Sequence, residues 1–386
     1  MADIKNLITH LKSPGGLAGF VRSIISGEKD LVGLDIGSHS VKAVWLQYEG
    51  KQFKLRAWGI APLDPKAETS PEERKFQVAQ TIKDLFAEKA ITLKGTATSV
   101  SGNAVIVRYV KLPKLSPDEL NLTLSVEAEP FIPFDIKEVN LGYHVLSDVT
   151  EEGQKKMETV LVAAKKEVVQ DRIDIIMSAD LKPLIIDVDA FAIETAYSQM
   201  SAGDGAGGIL FLNIGHKVTN LSIIEKGITR VVRDIFMAGS TIDKAIQKAL
   251  TIDQSKTDEL KKTRSILITA DEKEKAIQDD DRDALAFSKA VSGVARDLAG
   301  EIARSVDFYL SQGQDRVISR IYLSGGAANL RNLTHFLSGE LKVPVDIYNP
   351  MDFVAGKGRD IPADALPALT IAVGLALRKM GDWQQK

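Results

Sequence analysis

The strongest constraint in this chain is a repeat. Residues 31–46, LVGLDIGSHSVKAVWL, return 178 positions later as residues 209–224, ILFLNIGHKVTNLSII. Each copy has an apolar run, then Asp or Asn before Ile-Gly, a short polar turn and a second apolar run. Apolar runs broken by such a turn read as paired strands. The period is too long for a solenoid unit and fits two homologous domains. At the end of the first strand the copies differ in chemistry: Asp35 of the first is Asn213 in the second.

The surrounding residues extend the pattern. KQFKLRAW and GITRVVRDIFM supply a third strand to the respective hairpins. SPEE at 70–73 and SPDE at 116–119 each place Ser at an N-cap, Pro at the first helical position and Glu at the third. The first of these helices is expected to turn Phe76, Ala79, Ile82 and Phe86 inward; the second should end at Pro130, within EAEPFIPF. VNLGYHVL and METVLVAA read as strands, and 166–180 as a helix with Val169, Ile173, Ile176 and Met177 on one face. PLIIDVD is a strand and AFAIETAYSQM a helix. SAGDGAGG, 201–208, is a flexible joint. Residues 240–312 read as mostly helical, with the charge run DEKEKAIQDDDRD as solvated surface or loop. VISRIYLSGGAANLRNLTHFL is strand, glycine turn and helix, and ALTIAVGLALRKM is a closing helix.

Composition removes several function classes. A net charge of −3 gives no basic field for nucleic acid. There are no cysteines, so no disulfide or thiolate metal site, and a cytoplasmic address fits. The five histidines are scattered without metal-ligand spacing. No run of about 18 apolar residues suggests a membrane span, and the N-terminus lacks a secretory-signal pattern. Leu17, Phe20, Val21, Ile24 and Ile25 fall at helical spacing in a mildly basic segment, 1–29. That helix either packs on its own protein or docks on a partner or membrane surface.

The hairpins carry the chemistry. Gly37 permits a tight turn and a close backbone approach. Backbone N–H groups with the hydroxyls of Ser38 and Ser40 can cradle phosphate oxygens. Lys42 can add charge or simply be exposed. Asp35, at a strand end, suits Mg²⁺, which takes few carboxylates beside water and phosphate. Gly215 and Thr219 repeat the glycine and hydroxyl of the first copy. Two such hairpins facing each other can grip a polyphosphate from both sides. A third element, LSGGAANL at 323–330, offers glycines for the approach of a flat adenosine.

These three motifs, in this order, resemble the actin-like ATPase superfamily. The hairpins look like its phosphate-1 and phosphate-2 loops, YLSGGAANL like its adenosine motif, IIDVDAFAIETAY like connect-1 and LTIAVGLALR like connect-2. Residues 105–146, above all EAEPFIPF and EVNLGYHVL, are similar to the subdomain of the PilM family of type IV pilus assembly. The resemblance implies an α/β, actin-like fold of two duplicated domains around a nucleotide cleft, with an inserted subdomain in the first. It implies an extension at 1–30, domain 1 at 31–104, the insert at 105–182, connect-1 and the joint at 183–206, domain 2 at 207–364 with a helical part at 246–312, and a helix at 365–386 returning to domain 1. It implies ATP or ADP with Mg²⁺ as ligands. Asp35, Gly37, Ser38, Ser40 and Lys42 match phosphate-1, Gly215 and Thr219 phosphate-2, and Gly325, Gly326 and Asn329 the adenosine motif. Asp189 lies where connect-1 carries an acid near the attacking water. Asp258 and Lys261 either flank adenine or form a helix-surface ion pair. Asn213 departs from the family's phosphate-2 Asp, so hydrolysis is expected to be weak or absent.

The implied partners are the tail of a PilN-like inner-membrane protein and other pilus assembly proteins, at the inner face of the inner membrane. Membrane contact through 1–29 and self-association remain open. Two other readings share the fold: an FtsA-like, membrane-attached, filament-forming homologue, and a small-molecule kinase. The first would need an amphipathic membrane helix at the C-terminus, and LRKMGDWQQK is short and polar. The second would need a sugar-type pocket, and the insert shows no such constellation.

Overall fold

A computed structural model describes residues 30–379 except 51, 65–69, 201–206, 314 and 357–359. The amphipathic extension at 1–29, most of the glycine-rich joint and the last seven residues lie outside the described residues.

The duplication is visible in sheet order. β1 (Val32–Ile36), β2 (Ser40–Glu49) and β3 (Gln52–Pro62) form an antiparallel meander, and β4 (Gly95–Val100) and β8 (Lys182–Val188) extend it in parallel on the far side of β1. The order is β3-β2-β1-β4-β8. In the second sheet β9 (Gly208–Ile214), β10 (Thr219–Glu225) and β11 (Ile228–Ile235) form the meander, and β12 (Ile318–Ser324) and β13 (Val345–Ile347) add in parallel. That order, β11-β10-β9-β12-β13, copies the first. A separate sheet, β5-β7-β6, is made of β5 (Val105–Pro113), β6 (Val139–Glu151) and β7 (Gln154–Lys165).

Helices cover the sheets in layers. α1 (Pro71–Glu88) starts at the Ser70 cap, whose hydroxyl accepts from the Glu73 N–H. α2 (Pro117–Ala128) starts with a full capping box between Ser116 and Glu119 and lies on the separate sheet. α3 (Lys166–Ser178) joins α1 on one face of the first sheet, where Ile82, Leu85 and Ile176 pack against Val32, Leu34 and Ala43. The sheet of the insert therefore closes at Lys165, and the helix after it belongs to the first domain's core. α4 (Asp189–Tyr197) and α10 (Thr370–Ala376) fill the space between the two sheets, touching Val44 and Ala97 on one side and Phe211 and Ile224 on the other. α5 (Gly239–Leu250), α6 (Gln254–Thr263), α7 (Ala270–Gln278), α8 (Arg282–Ser311) and α9 (Leu333–Leu341) belong to the second half; α5 and α8 cover its outer face with Ile242, Ile246, Phe287 and Val291.

The central crossing depends on missing side chains. A Cβ on Gly374 would lie 1.8 Å from the Ala192 carbonyl oxygen, and one on Gly33 would lie 1.9 Å from that of Ala372. The two connecting helices thus meet each other and β1 at backbone contact.

Local expectations differ from the structure in five places. Phe76 is exposed, because the buried stripe of α1 runs through Val78, Ala79, Ile82, Leu85 and Phe86. Met177 is exposed, leaving Ile175 and Ile176 as the inward pair of α3. Pro130 sits within a single 3₁₀ turn, Glu129–Phe131, that follows α2. DEKEKAIQDDDRD is solvated surface as expected but helical on either side of a turn at Asp279–Asp281, and several of its acids are caps: Glu272 closes a capping box with Thr269 at α7, and Asp281 accepts the Ala284 N–H at α8. After the glycine pair comes a short 3₁₀ turn, Gly326–Asn329, and α9 begins only at Leu333.

Candidate functional site

The site lies at the carboxyl ends of the parallel strands, where open α/β sheets place ligands. The first hairpin turn is closed by the Gly37 N–H donating to the Ser40 carbonyl at 3.1 Å. The second is closed the same way, by Gly215 N–H to Val218 O at 3.0 Å. A Cβ on Gly215 would stand 2.8 Å from that carbonyl, and one on Gly37 would stand 2.9 Å from the Lys42 ammonium. At Gly215 the neighbour is backbone, so that turn requires glycine, whereas at Gly37 it is the end of a flexible side chain; both N–H groups are spent in closing their turns.

At the base of the first hairpin Asp35 and Lys42 face each other across β1 and β2 and form an ion pair at 3.1 Å. Lys42 is 15% exposed, so its reading as an exposed residue gives way to that of a partnered cation. The hydroxyls of Ser38 and Ser40 are half-buried and take no hydrogen bond from the described residues. Arg74 of α1 donates to the Ser38 carbonyl at 3.0 Å and steadies the turn.

The second hairpin has the same register and a different chemistry. Asn213 and Asn220 occupy the places of Asp35 and Lys42. The Asn213 amide donates to Asn220 Oδ1 at 2.9 Å, and Asn220 donates to Asp234 Oδ1 at 2.8 Å. Ser324 donates to Asn213 Oδ1 at 3.4 Å. Asp234 can only accept when ionised, so Asn220 must offer it an N–H and turn its oxygen to Asn213. Asn213 must then donate, which a carboxylate at that place cannot do. Asn213 is 8% exposed and held in this chain.

Thr219 also departs from expectation. It is fully buried, and its hydroxyl donates to the Met237 carbonyl at 2.7 Å. The turn register explains this: Val218, not Thr219, is the counterpart of Ser40, and Thr219 falls on the inward position of Val41. The second turn carries α5 instead: the Gly239 and Ser240 N–H groups donate to the carbonyls of Gly215 and His216 at 3.0 and 2.7 Å.

The two turns meet through His39 and His216, whose ring centroids are 4.9 Å apart. Burial, then the neighbouring His39, pulls the His216 pKa down. Asp189, first residue of α4, accepts from the Ser99 hydroxyl at 2.6 Å. Burial and then the Asp35 charge push its carboxyl up to about 6. The halves are also tied by the Gly102 N–H, which donates to Asp234.

The adenosine-side residues are split. Gly325 has φ +83°, and a Cβ there would lie 2.4 Å from the Ile214 carbonyl, so β12 and the second hairpin demand glycine. Gly326 is exposed with open space where a Cβ would be. Asn329 is committed to the Asp364 carbonyl and holds that loop. Lys261 of α6 pairs with buried Asp243 of α5 at 2.7 Å and stands 3.8 Å from Asp258. Asp243, which also lies 4.0 Å from His216, was missed in the sequence. Its signal is an acid beside Ile242 on a helix whose Ile242 and Ile246 are core.

Adenine nucleotide fits this geometry: half-buried hydroxyls at the first turn that no described residue engages, and an open glycine at the other end. Among the described residues no three metal-ligating side chains cluster. A Mg²⁺ would therefore rest on phosphate oxygens and water, with Asp35 as a nearby carboxylate.

Paired five-stranded sheets of identical order, joined by crossing helices beneath facing hairpins, define the actin-like ATPase fold. The family model described as "Type IV pilus assembly protein PilM" matches residues 33–380. The chain belongs to that family. A solved "PilM-PilN type IV pilus biogenesis complex" is similar at 27% identity and TM-score 0.75, covering 90% of this chain and 98% of that one. The ethanolamine utilization protein EutJ from Carboxydothermus hydrogenoformans shares the fold at 15% identity and TM-score 0.51, over 92% of this chain and 93% of that one. No helix of the described residues is long and apolar enough to cross a membrane.

Proposed function

We propose that this PilM-family protein binds ATP or ADP between the two hairpins and uses it as a structural ligand that sets the angle between its halves. The observation that carries this reading is the first turn, whose Ser38 and Ser40 hydroxyls, beside the Asp35–Lys42 pair, have no hydrogen-bond partner among the described residues. Ser38, Ser40 and Lys42 bind phosphate oxygens; Gly326 admits the adenosine. When bound, Mg²⁺ supplies charge neutralisation between the phosphates and Asp35. Hydrolysis is slow, because Asn213 can neither take a proton nor leave its hydrogen-bond chain. What turnover there is rests on Asp189, whose pKa near neutrality suits a proton acceptor.

The same family membership supports a docking role. The solved relative is a complex with PilN, and by that analogy this chain binds the tail of a PilN-like inner-membrane protein, which holds it at the inner face of the membrane. The insert, with Phe131 partly exposed after α2, is the proposed region of contact. Calorimetric titration with ATP and ADP tests the first claim, and pull-down of a PilN-type tail with and without residues 105–165 tests the second. Binding of neither nucleotide at millimolar concentration refutes the cleft reading; no capture of the tail by the intact chain refutes the docking.

A further inference from the structure

We propose that His39 and His216 form a proton-taking pair, so that a nucleotide entering between the two turns draws a proton from solvent onto an imidazole. The inference deepens the nucleotide reading above and rests on it. One ring stands on each turn, and their centroids are 4.9 Å apart with planes tilted by 36°. Both are placed from pinned backbone. The His39 carbonyl accepts from the Leu63 N–H at 2.8 Å, and the His216 carbonyl from the Ser240 N–H at 2.7 Å. His39 lies between Ser38 and Ser40, whose hydroxyls are the proposed phosphate ligands.

Neither imidazole has a hydrogen-bond partner among the described residues. Asp243 of α5 holds its Oδ2 4.0 Å from His216 Nδ1, beyond hydrogen-bond reach, and is paired with Lys261 of α6 at 2.7 Å. The other charges around the turns are Asp258 of α6, 3.8 Å from Lys261, Lys217 beside His216, the Asp35–Lys42 pair at the base of the first turn, and Arg74 of α1 at the Ser38 carbonyl. Two imidazolium rings in contact would repel each other. Burial and then His39 pull the His216 pKa down; Asp243 opposes them, and Lys261 and Lys217 add to them. The pair is thus held short of its protons until an anion arrives. A polyphosphate between the turns reverses that balance, because its oxygens accept from imidazole N–H groups and its charge favours the protonated ring.

A ring whose pKa rises on binding strengthens the complex fully below its ligand-free pKa, and that gain is lost as pH rises through the bound value. Nucleotide affinity should therefore fall between about pH 6 and pH 8.

Calorimetric titration of ADP with Mg²⁺ into the full chain, in two buffers of different ionisation enthalpy, counts the protons taken up. Wild type should take up between about 0.3 and 1 proton at neutral pH and bind about threefold to tenfold more tightly at pH 6 than at pH 8. His39→Gln/His216→Gln should still bind, lose the uptake and flatten the pH profile. The nucleotide's own titration is common to both proteins and cancels. Melting curves verify the fold. Proton NMR of the wild-type imidazole C–H signals is a second readout, independent of any variant: at least one of the two rings should titrate at higher pH with ADP bound. Equal uptake in wild type and double variant, no uptake in wild type, or rings whose titration ADP leaves in place overturn the pair while leaving nucleotide binding intact. Absence of any binding by wild type refutes the cleft reading and this inference with it.

Discussion

The two hairpins have one backbone and two chemistries. In the first, the paired positions are Asp35 and Lys42, an ion pair at the mouth of the cleft. In the second, the same positions are Asn213 and Asn220, a neutral amide pair running inward to Asp234. Both members have changed together, so the missing carboxylate is half of a replaced pair. The second pair is deeper, with Asn213 and Asn220 both under 9% exposed. An ion pair at that depth would lose hydration on both partners, whereas amides pass a hydrogen bond along at lower cost. One copy thus presents charge and hydroxyls to a ligand; the other supports a turn, a helix and the contact between halves.

The comparison can be broken at its bases. Asn213→Asp sets a carboxylate against Asn220 Oδ1 near a second acid, and should destabilise by roughly 3 kcal/mol, as uncompensated buried charges do. Adding Asn220→Lys rebuilds the pair of the first hairpin and should restore part of that loss, a coupling of about 1–3 kcal/mol in urea unfolding. Additive effects would show that the two positions do not act as a pair. Asp35→Asn, the opposite exchange, leaves Lys42 without its partner and should cost about 1–2 kcal/mol.

Asp189→Asn should act with the other sign. The folded carboxyl has a pKa of about 6, above its ordinary value. The folded state therefore holds this proton more tightly, and the ionised group is a burden above pH 6 that is relieved as pH falls towards 4. The Asn variant should be more stable than wild type near neutrality, by roughly 1 kcal/mol or more, and the gain should shrink as pH falls towards about 4. A destabilised variant at neutral pH would contradict the burial argument. The smallest effect belongs to the histidines. Because the His216 pKa is lowered in the fold, the neutral ring is favoured. Its stabilising share is full above the unfolded value and is lost as pH falls through about 6.5 and below. His39→Asn should raise the His216 pKa, read by proton NMR titration.

The duplication, the three-stranded hairpins and the capped helices were legible because periodicity and Ser-Pro-x-Glu patterns are local. Lys42 could be named but not placed, since its partner lies across a strand pair. Thr219 was misread for a finer reason. Counting hydroxyls from the glycine ignored which residue closes the turn, and a shift of one position moves a side chain to the other face. Asp234 had no signature at all, since it joins the site through tertiary packing from a third strand, and Asp243 had only that of an acid beside core isoleucines on a helix face. Asn213 was visible as a departure, but its reason, the chain ending at Asp234, was not.

The central claim is that the hairpins divide their work, the first gripping phosphate and the second supporting the fold. The most direct measurement is the ATP-induced rise in melting temperature of Ser38→Ala/Ser40→Ala beside that of Thr219→Val. The account predicts that the serine variant melts like wild type without nucleotide and loses most of the rise. Thr219→Val should melt lower, by the roughly 1 kcal/mol of its bond to Met237, and keep the rise in full. A serine variant that keeps the rise, or a Thr219→Val protein that loses it without melting lower, would contradict the account.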